Sequence, residues 1–157
     1  MAYPNGNRYD NRQQGGYNRN YPQREAPAQV PDFPDDYVDF AEKLMKEKFR
    51  LITTSKLRNI LSLLMDVYNT EILRTEETIC EDSAVKLQMA RIRIAYECGR
   101  DRTTKDFKEF ADAAHLLPWL KAIGNSRSQA IRYVHYLEAI VAYHRFFGGS
   151  EFNVRRN

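Results

Sequence analysis

Few side chains in this sequence have the chemistry of a catalytic or metal site: three histidines, two cysteines and a short acidic run. His144 falls on an apolar helical stripe with Leu137, Ile140 and Val141, which is the setting of a core histidine rather than a ligand. His135 and Glu138 are three apart and share one helix face, so a small metal enzyme using His135, Glu138 and His144 is one reading. The Glu-x-x-His order and the repeated carboxylates of a di-iron bundle are missing, however. Cys80 and Cys98 lack the His-and-acid setting of a nucleophile, and two cysteines are too few for a disulfide framework or a four-ligand zinc site. Glu76, Glu77, Glu81 and Asp82 have the character of a solvated loop. No Gly-rich phosphate cradle occurs. The expectation is a chain with no catalytic residue, no metal and no cofactor.

The remaining chemistry is cationic. Lys86, Arg93 and Arg100 recur every seven residues and, with Glu97, form the polar stripe of one helix, each cation ~10.5 Å along the axis from the next. A one-sided row of cations tracks phosphates, and it equally describes a solvated helix face. A second row combines Ser55, Arg58, Asn59, Ser62, Asp66 and Asn69, with Lys56 at its edge. That mixture of hydroxyls, amides and cations suits an RNA backbone, which offers both 2′-hydroxyls and phosphates. A third row comprises Arg127, Ser128, Arg132, His135, Glu138 and Arg145, with Lys121 and Asn125 just before it. The three rows form one groove only if the helices pack with their polar edges adjoining. Arg91 points into an apolar sector between Leu87 and Ala95, so it needs a partner, and Glu138 is the candidate.

The elements that carry these residues are helices. From Asp36 onward apolar residues recur at helical spacing, with no alternating strand pattern. A first helix spans Asp36 to Phe49 with Tyr37, Ala41, Leu44 and Met45 inward. Thr53 or Thr54 caps a second, whose stripe is Leu57, Ile60, Leu61, Leu64, Tyr68 and Ile72. A third runs from Ser83 to about Cys98, with Gly99 as its stop. Val85, Met89, Ile92 and Tyr96 line one side of it, and Leu87, Ala90, Ile94 and Cys98 line another. A helix apolar on two sides lies deep in a bundle or is shared with a partner. A fourth begins near Thr103 or Thr104 and buries Phe107, Phe110, Ala111, Ala114 and Leu117 until Pro118 breaks it. A short turn from Trp119 to Ile123 closes at Gly124, and Ser126 caps a last helix that ends at Gly148 and Gly149. The fold class is an all-α compact bundle of five to six helices.

The chain has 157 residues, 43% of them hydrophobic and 29% charged. That length is one domain's worth and can bury an ordinary core without covalent staples. Residues 1–34 hold five of the six prolines, no Leu or Ile, and Val30 as their only Val. Such a segment cannot bury enough apolar surface to offset its ordering entropy, so a disordered tail is expected there. Its Tyr3, Tyr9, Tyr17 and Tyr21 alternate with arginines, which fits either a solubilising tail or weak stacking on single-stranded nucleic acid. The bundle then occupies 35–149 and a short C-terminal tail 150–157. Lys plus Arg exceed Asp plus Glu by 24 − 21 = +3, of which the first 36 residues carry −1 and the rest +4. No apolar run reaches the ~20 residues a membrane helix needs, and the N-terminus is not signal-like. A soluble, cytoplasmic protein with no membrane partner is the expectation.

Three segments together are specific: TTSKLRNIL from Thr53, KLQMARIRIAYECGR from Lys86 and YLEAIVAYHRFFGG from Tyr136. In order and spacing they resemble the small subunit of type III-A CRISPR (Csm) effector complexes over roughly Asp36 to Gly149. The N-terminal tail is not part of that pattern. The resemblance implies a helical, non-catalytic RNA-binding subunit of a prokaryotic antiviral ribonucleoprotein. It also implies several copies lined up beside the backbone subunits and the large subunit, holding guide (CRISPR) RNA and target RNA without reading sequence. Base pairing then supplies specificity, and the protein supplies phosphate, sugar and shape contacts. Lys56, Arg58, Arg93 and Arg100 lie in the matching segments and are the expected backbone contacts. Lys121, Arg127 and Arg132 join them on charge placement alone. A helical protein–protein adaptor without RNA contacts is the alternative.

Overall fold

The computed structural model describes residues 29–100 and 103–149. The tyrosine-rich segment and the C-terminal octet expected to be tails lie outside the described residues, apart from 29–34. Six α-helices follow in order: α1 Tyr37–Lys48, α2 Thr54–Glu71, α3 Glu81–Arg100, α4 Asp106–Ala113, α5 Leu116–Ala122 and α6 Arg127–Phe146, with a 3-10 turn Phe49–Leu51 after α1. The caps lie where short hydroxyl side chains meet orphan N–H groups. Thr53 accepts from the Lys56 N–H and Ser126 from the Gln129 N–H.

Glu81 and Asp82, expected in a loop, open α3 instead, α4 starts at Asp106, and two helix ends differ from the sequence reading for local reasons. Gly99 is not a stop, and α3 continues to Arg100. Pro118 does not break the fourth helix either. The break comes at His115, which adopts a left-handed backbone (φ 50°). Pro118 sits in the first turn of α5, where its missing N–H has no intrahelical partner to lose. The Ala114 carbonyl freed at the break accepts from the Tyr136 hydroxyl (2.9 Å), and the Tyr133 hydroxyl donates to Leu116 O at the start of α5 (2.8 Å). Both tyrosines are buried, and burial holds their phenols protonated far above the ordinary range.

The helices form a row, α1 beside α6, α6 beside α2 and α2 beside α3, with α4 and α5 closing one side. Between these layers lie Met45, Ile60, Leu64, Ile94, Phe107 and Phe110, all essentially inaccessible to solvent. The inward stripe of α2 is rotated from the expected one. Val67 and Glu71 are buried, whereas Ile72 is exposed.

Ahead of α1, the chain lies across α5 and α6 as a strap. Phe33 packs edge-on against Trp119 and Tyr136, with ring centroids 5.2 and 5.7 Å away. The Trp119 indole N–H donates to Pro31 O (2.7 Å). On the other side of the bundle, the loop 72–80 is laced to the start of α6 by Ile79 N–H to Asn125 O and Arg127 N–H to Glu77 O, each 2.9 Å.

The Gly148–Gly149 ending has two separate causes. Gly148 is left-handed (φ 91°), as a helix C-cap requires. Gly149 lies so close to the His144 imidazole that a Cβ there would fall on the ring. Gly149→Ala is therefore expected to cost about 1–3 kcal/mol by overpacking, read from a urea midpoint. A change under about 0.5 kcal/mol would mean that the ring yields freely.

Candidate nucleic-acid interface

α2 packs between α6 and α3 and carries its polar stripe on its solvent side. Ser55, Arg58, Asn59, Ser62, Asp66 and Asn69 are all exposed along it. On α3 the cations lean toward this stripe. Lys86 pairs with Asp82 (2.8 Å) and is held above its ordinary pKa chiefly by that hydrogen bond, with Asp66 of α2 adding to it. Eight residues back along α2 and seven forward along the antiparallel α3 cover similar distances (~12 and ~10.5 Å), so Arg58 and Arg93 stand at similar heights along the two helices. Arg93 is exposed and has no ion pair among the described residues. Arg100 is exposed too, with its guanidinium 3.6 Å from Glu97.

Glu97 itself departs from the expectation of a surface stripe. It is 6% exposed, and its Oε2 has no hydrogen-bond partner among the described residues. The reason is rotational: at ~100° per residue Glu97 falls within the arc of Leu87, Ala90 and Ile94, which face the core.

The other candidate cations are placed differently. The Lys56 ammonium stands 5.5 Å from the Phe107 ring centroid, half-buried at the edge of the stripe. Arg127 clamps the loop after α2, with Nε donating to Glu76 O (2.7 Å) and Nη1 to Glu71 O (2.9 Å). Arg132 holds the strap: Nη2 donates to Pro34 O (3.1 Å) and pairs with Asp35 (2.9 Å), while the guanidinium lies over the Phe33 ring. Lys121 is on α5, across α3 from Arg58 and Arg93. The seven residues therefore do not share one groove. Arg58, Arg93 and Arg100 adjoin on the α2–α3 face, Lys56 sits at its edge, and Lys121, Arg127 and Arg132 lie elsewhere.

Arg91 does not reach Glu138. Its Nη1 donates to Gln88 (2.8 Å) on the exposed side of α3. With Lys121 it edges a depression of about 640 Å³ between α3 and α5, floored by Ile92, Ala95, Leu117 and Pro118. Of the two apolar sides of α3, Leu87, Ala90 and Ile94 are buried. Val85, Met89, Ile92 and Tyr96 stand 51–69% exposed.

The histidines are dispersed. His144 is fully buried, its Nε2 2.8 Å from Ile52 O, as its apolar stripe implied. His135 packs on Tyr68 and His115 on Trp119. Among the described residues no three His, Cys, Asp or Glu side chains converge, and no helix is long and apolar enough to cross a membrane.

Sequence reasoning missed two structural groups. Phe33 was assigned to the tail, although an aromatic residue just before a helix N-terminus is a recognisable packing signal. Glu71 is not among the residues that the sequence singles out, and nothing local marks its burial.

Comparison with known proteins adds the following. The Csm2 Type III-A family profile matches residues 32–150. The "CRISPR system Cms protein Csm2" of Mycobacterium tuberculosis is 34% identical over 117 residues, covering 71% of this chain and 91% of its own length. The protein of the same description from Streptococcus thermophilus is 33% identical over 123 residues, 74% of this chain and 95% of that one. That from Enterococcus italicus is 30% identical over 124 residues, 70% and 88% of the two chains.

Proposed function

The chain belongs to the Csm2 family of type III-A CRISPR systems, and from that premise we propose that it is a non-catalytic RNA-binding small subunit of the effector ribonucleoprotein. Several copies stand along the guide RNA–target RNA duplex beside the backbone and large subunits and contact its backbone without sequence preference. The observation that supports this most is the α2–α3 face, where Arg58, Arg93 and Arg100 adjoin a continuous row of exposed hydroxyl and amide side chains. Such a surface offers cations to phosphates and hydrogen bonds to 2′-hydroxyls. Lys56 extends this face. Lys121 belongs to the opposite side of α3, and Arg127 and Arg132 support it indirectly by fixing the loop and strap that hold the bundle's shape.

The test is a salt titration of guide–target duplex binding. Arg93→Glu combined with Arg100→Glu is expected to weaken binding at least tenfold and to reduce the slope of log affinity against log salt by about one per lost contact. Unchanged affinity and slope in that variant would defeat the assignment. The adaptor reading draws on one observation, the exposed apolar crest of α3. It predicts partner capture that survives complete ribonuclease digestion together with no RNA affinity.

A further inference from the structure

Along α3, Lys86, Met89, Arg93, Tyr96 and Arg100 follow one another at spacings of three, four, three and four residues. At ~100° per residue they keep within an arc of ~80°, so cations and apolar side chains alternate along one line of the helix. Met89 and Tyr96 are 51% and 56% exposed on that line, and Arg93 and Arg100 are exposed beside them. Tyr96 stands between the two arginines, one ~4.5 Å before it along the axis and the other ~6 Å beyond. A cation row alone tracks phosphates, whereas an aromatic ring interleaved with the cations adds a face on which a base can stack.

Tyr96 takes no part in the core. Among the described residues its ring packs on no other aromatic ring and its hydroxyl makes no hydrogen bond. Every other described tyrosine has such a partner. Tyr37 packs on Phe33, Tyr68 on His135 and Tyr143 on Phe147, while Tyr133 and Tyr136 donate to backbone carbonyls. Acidic side chains do not mask the line either. From Ser83 to Arg100 the one carboxylate is Glu97, and it is buried.

We infer that Tyr96 is a stacking platform for one unpaired RNA base, with Arg93 and Arg100 holding the phosphates on either side of that nucleotide. This deepens the proposed function and rests on it. Base pairing decides which base the platform can take. In an A-form duplex each base is stacked on its neighbours and offers only an edge, so no ring face is free for a tyrosine. A nucleotide outside the pairing presents that face, and any base stacks on an aromatic ring, so the contact reads no sequence. Stacking on a single ring returns no more than extruding a paired base costs, so Tyr96 captures a base that is already unpaired. A protein seated on the same line would bury two arginines with the ring, and each would need an acidic partner of its own. RNA supplies the base and the anions together.

The experiment uses the full chain and two RNA probes, a fully paired guide–target duplex and the same duplex carrying one unpaired 2-aminopurine. Wild type is expected to bind the second probe about tenfold more tightly and to quench its 2-aminopurine, which loses fluorescence on stacking. Tyr96→Ala is expected to abolish both the preference and the quenching while leaving affinity for the paired duplex unchanged. Tyr96→Phe keeps the ring and is expected to keep both. Tyr96→Leu keeps apolar area without a ring face, and is expected to behave like Tyr96→Ala. Circular dichroism confirms that each variant is folded. The inference is overturned if wild type binds both probes equally, if Tyr96→Ala keeps the preference and the quenching, or if Tyr96→Leu matches Tyr96→Phe. Arg93→Glu with Arg100→Glu weakens binding of both probes together, so loss of the backbone contacts and loss of the platform leave distinct signatures.

Discussion

Trp119→Ala is expected to remove about 4 kcal/mol of folding stability, near the middle of the range for truncating a buried aromatic. Trp119 is 3% exposed and stands among Phe33, Phe40, His115 and Tyr136, with ring centroids 4.8–5.4 Å away. Removing the indole leaves a cavity where strap, α1, α5 and α6 meet, and it orphans the Pro31 carbonyl. Trp119→Phe separates the two terms. It restores much of the ring volume but not the donor, so it is expected to cost only about 1–2 kcal/mol. Urea unfolding followed by far-ultraviolet circular dichroism measures both, since Trp119 is the sole tryptophan and its fluorescence is lost in either variant. A Trp119→Ala loss under about 2 kcal/mol would mean that the strap does not close the core.

Glu71→Ala is expected to cost about 3 kcal/mol, the scale for breaking a buried, hydrogen-bonded charge. The Glu71 carboxylate is fully buried at the end of α2. It accepts from the Cys80 N–H (3.0 Å) at the start of α3 and pairs with Arg74 (3.3 Å). Burial pushes its pKa up, but hydrogen bonds from Ser83 and Cys80 and the Arg74 charge outweigh that, so the group titrates below its ordinary 4.5. A carboxyl held low in the folded state contributes stability that is present above the unfolded value and is lost as pH falls through the folded one. The wild-type advantage over Glu71→Gln is therefore expected to be full at pH 6–7 and to shrink below about pH 4.5. A pH-independent difference between the two would show that the charge is not what matters.

These two sites also mark how far the sequence could be read. Helix number, the Thr53 and Ser126 caps, the buried His144 and the left-handed Gly124 all follow from local rules, because they depend on neighbours within one turn. The break at His115 does not, since the carbonyls on either side of it, Ala114 and Leu116, accept from Tyr136 and Tyr133 of a helix more than ten residues away. The same holds for the candidate site. Periodicity shows Arg58, Arg93 and Arg100 as edge residues, and the resemblance of three segments to the Csm small subunit carries them into a family. Nothing local shows that Arg127 and Arg132 spend their guanidinium donors on a loop and a strap far away in sequence.

What the sequence determines by itself is the all-α class, the positions of most helices and the family. Each rests on residue type and short spacing. The tertiary structure alone decides which of the two apolar sides of α3 is core and which is crest, since both satisfy the same helical period. It also decides that α2 packs on α3, that Arg127 and Arg132 of α6 are engaged elsewhere, and that Glu71 and Glu97 are buried. Those outcomes depend on the rotation and order of packed helices, which many distant contacts set together and no single segment encodes.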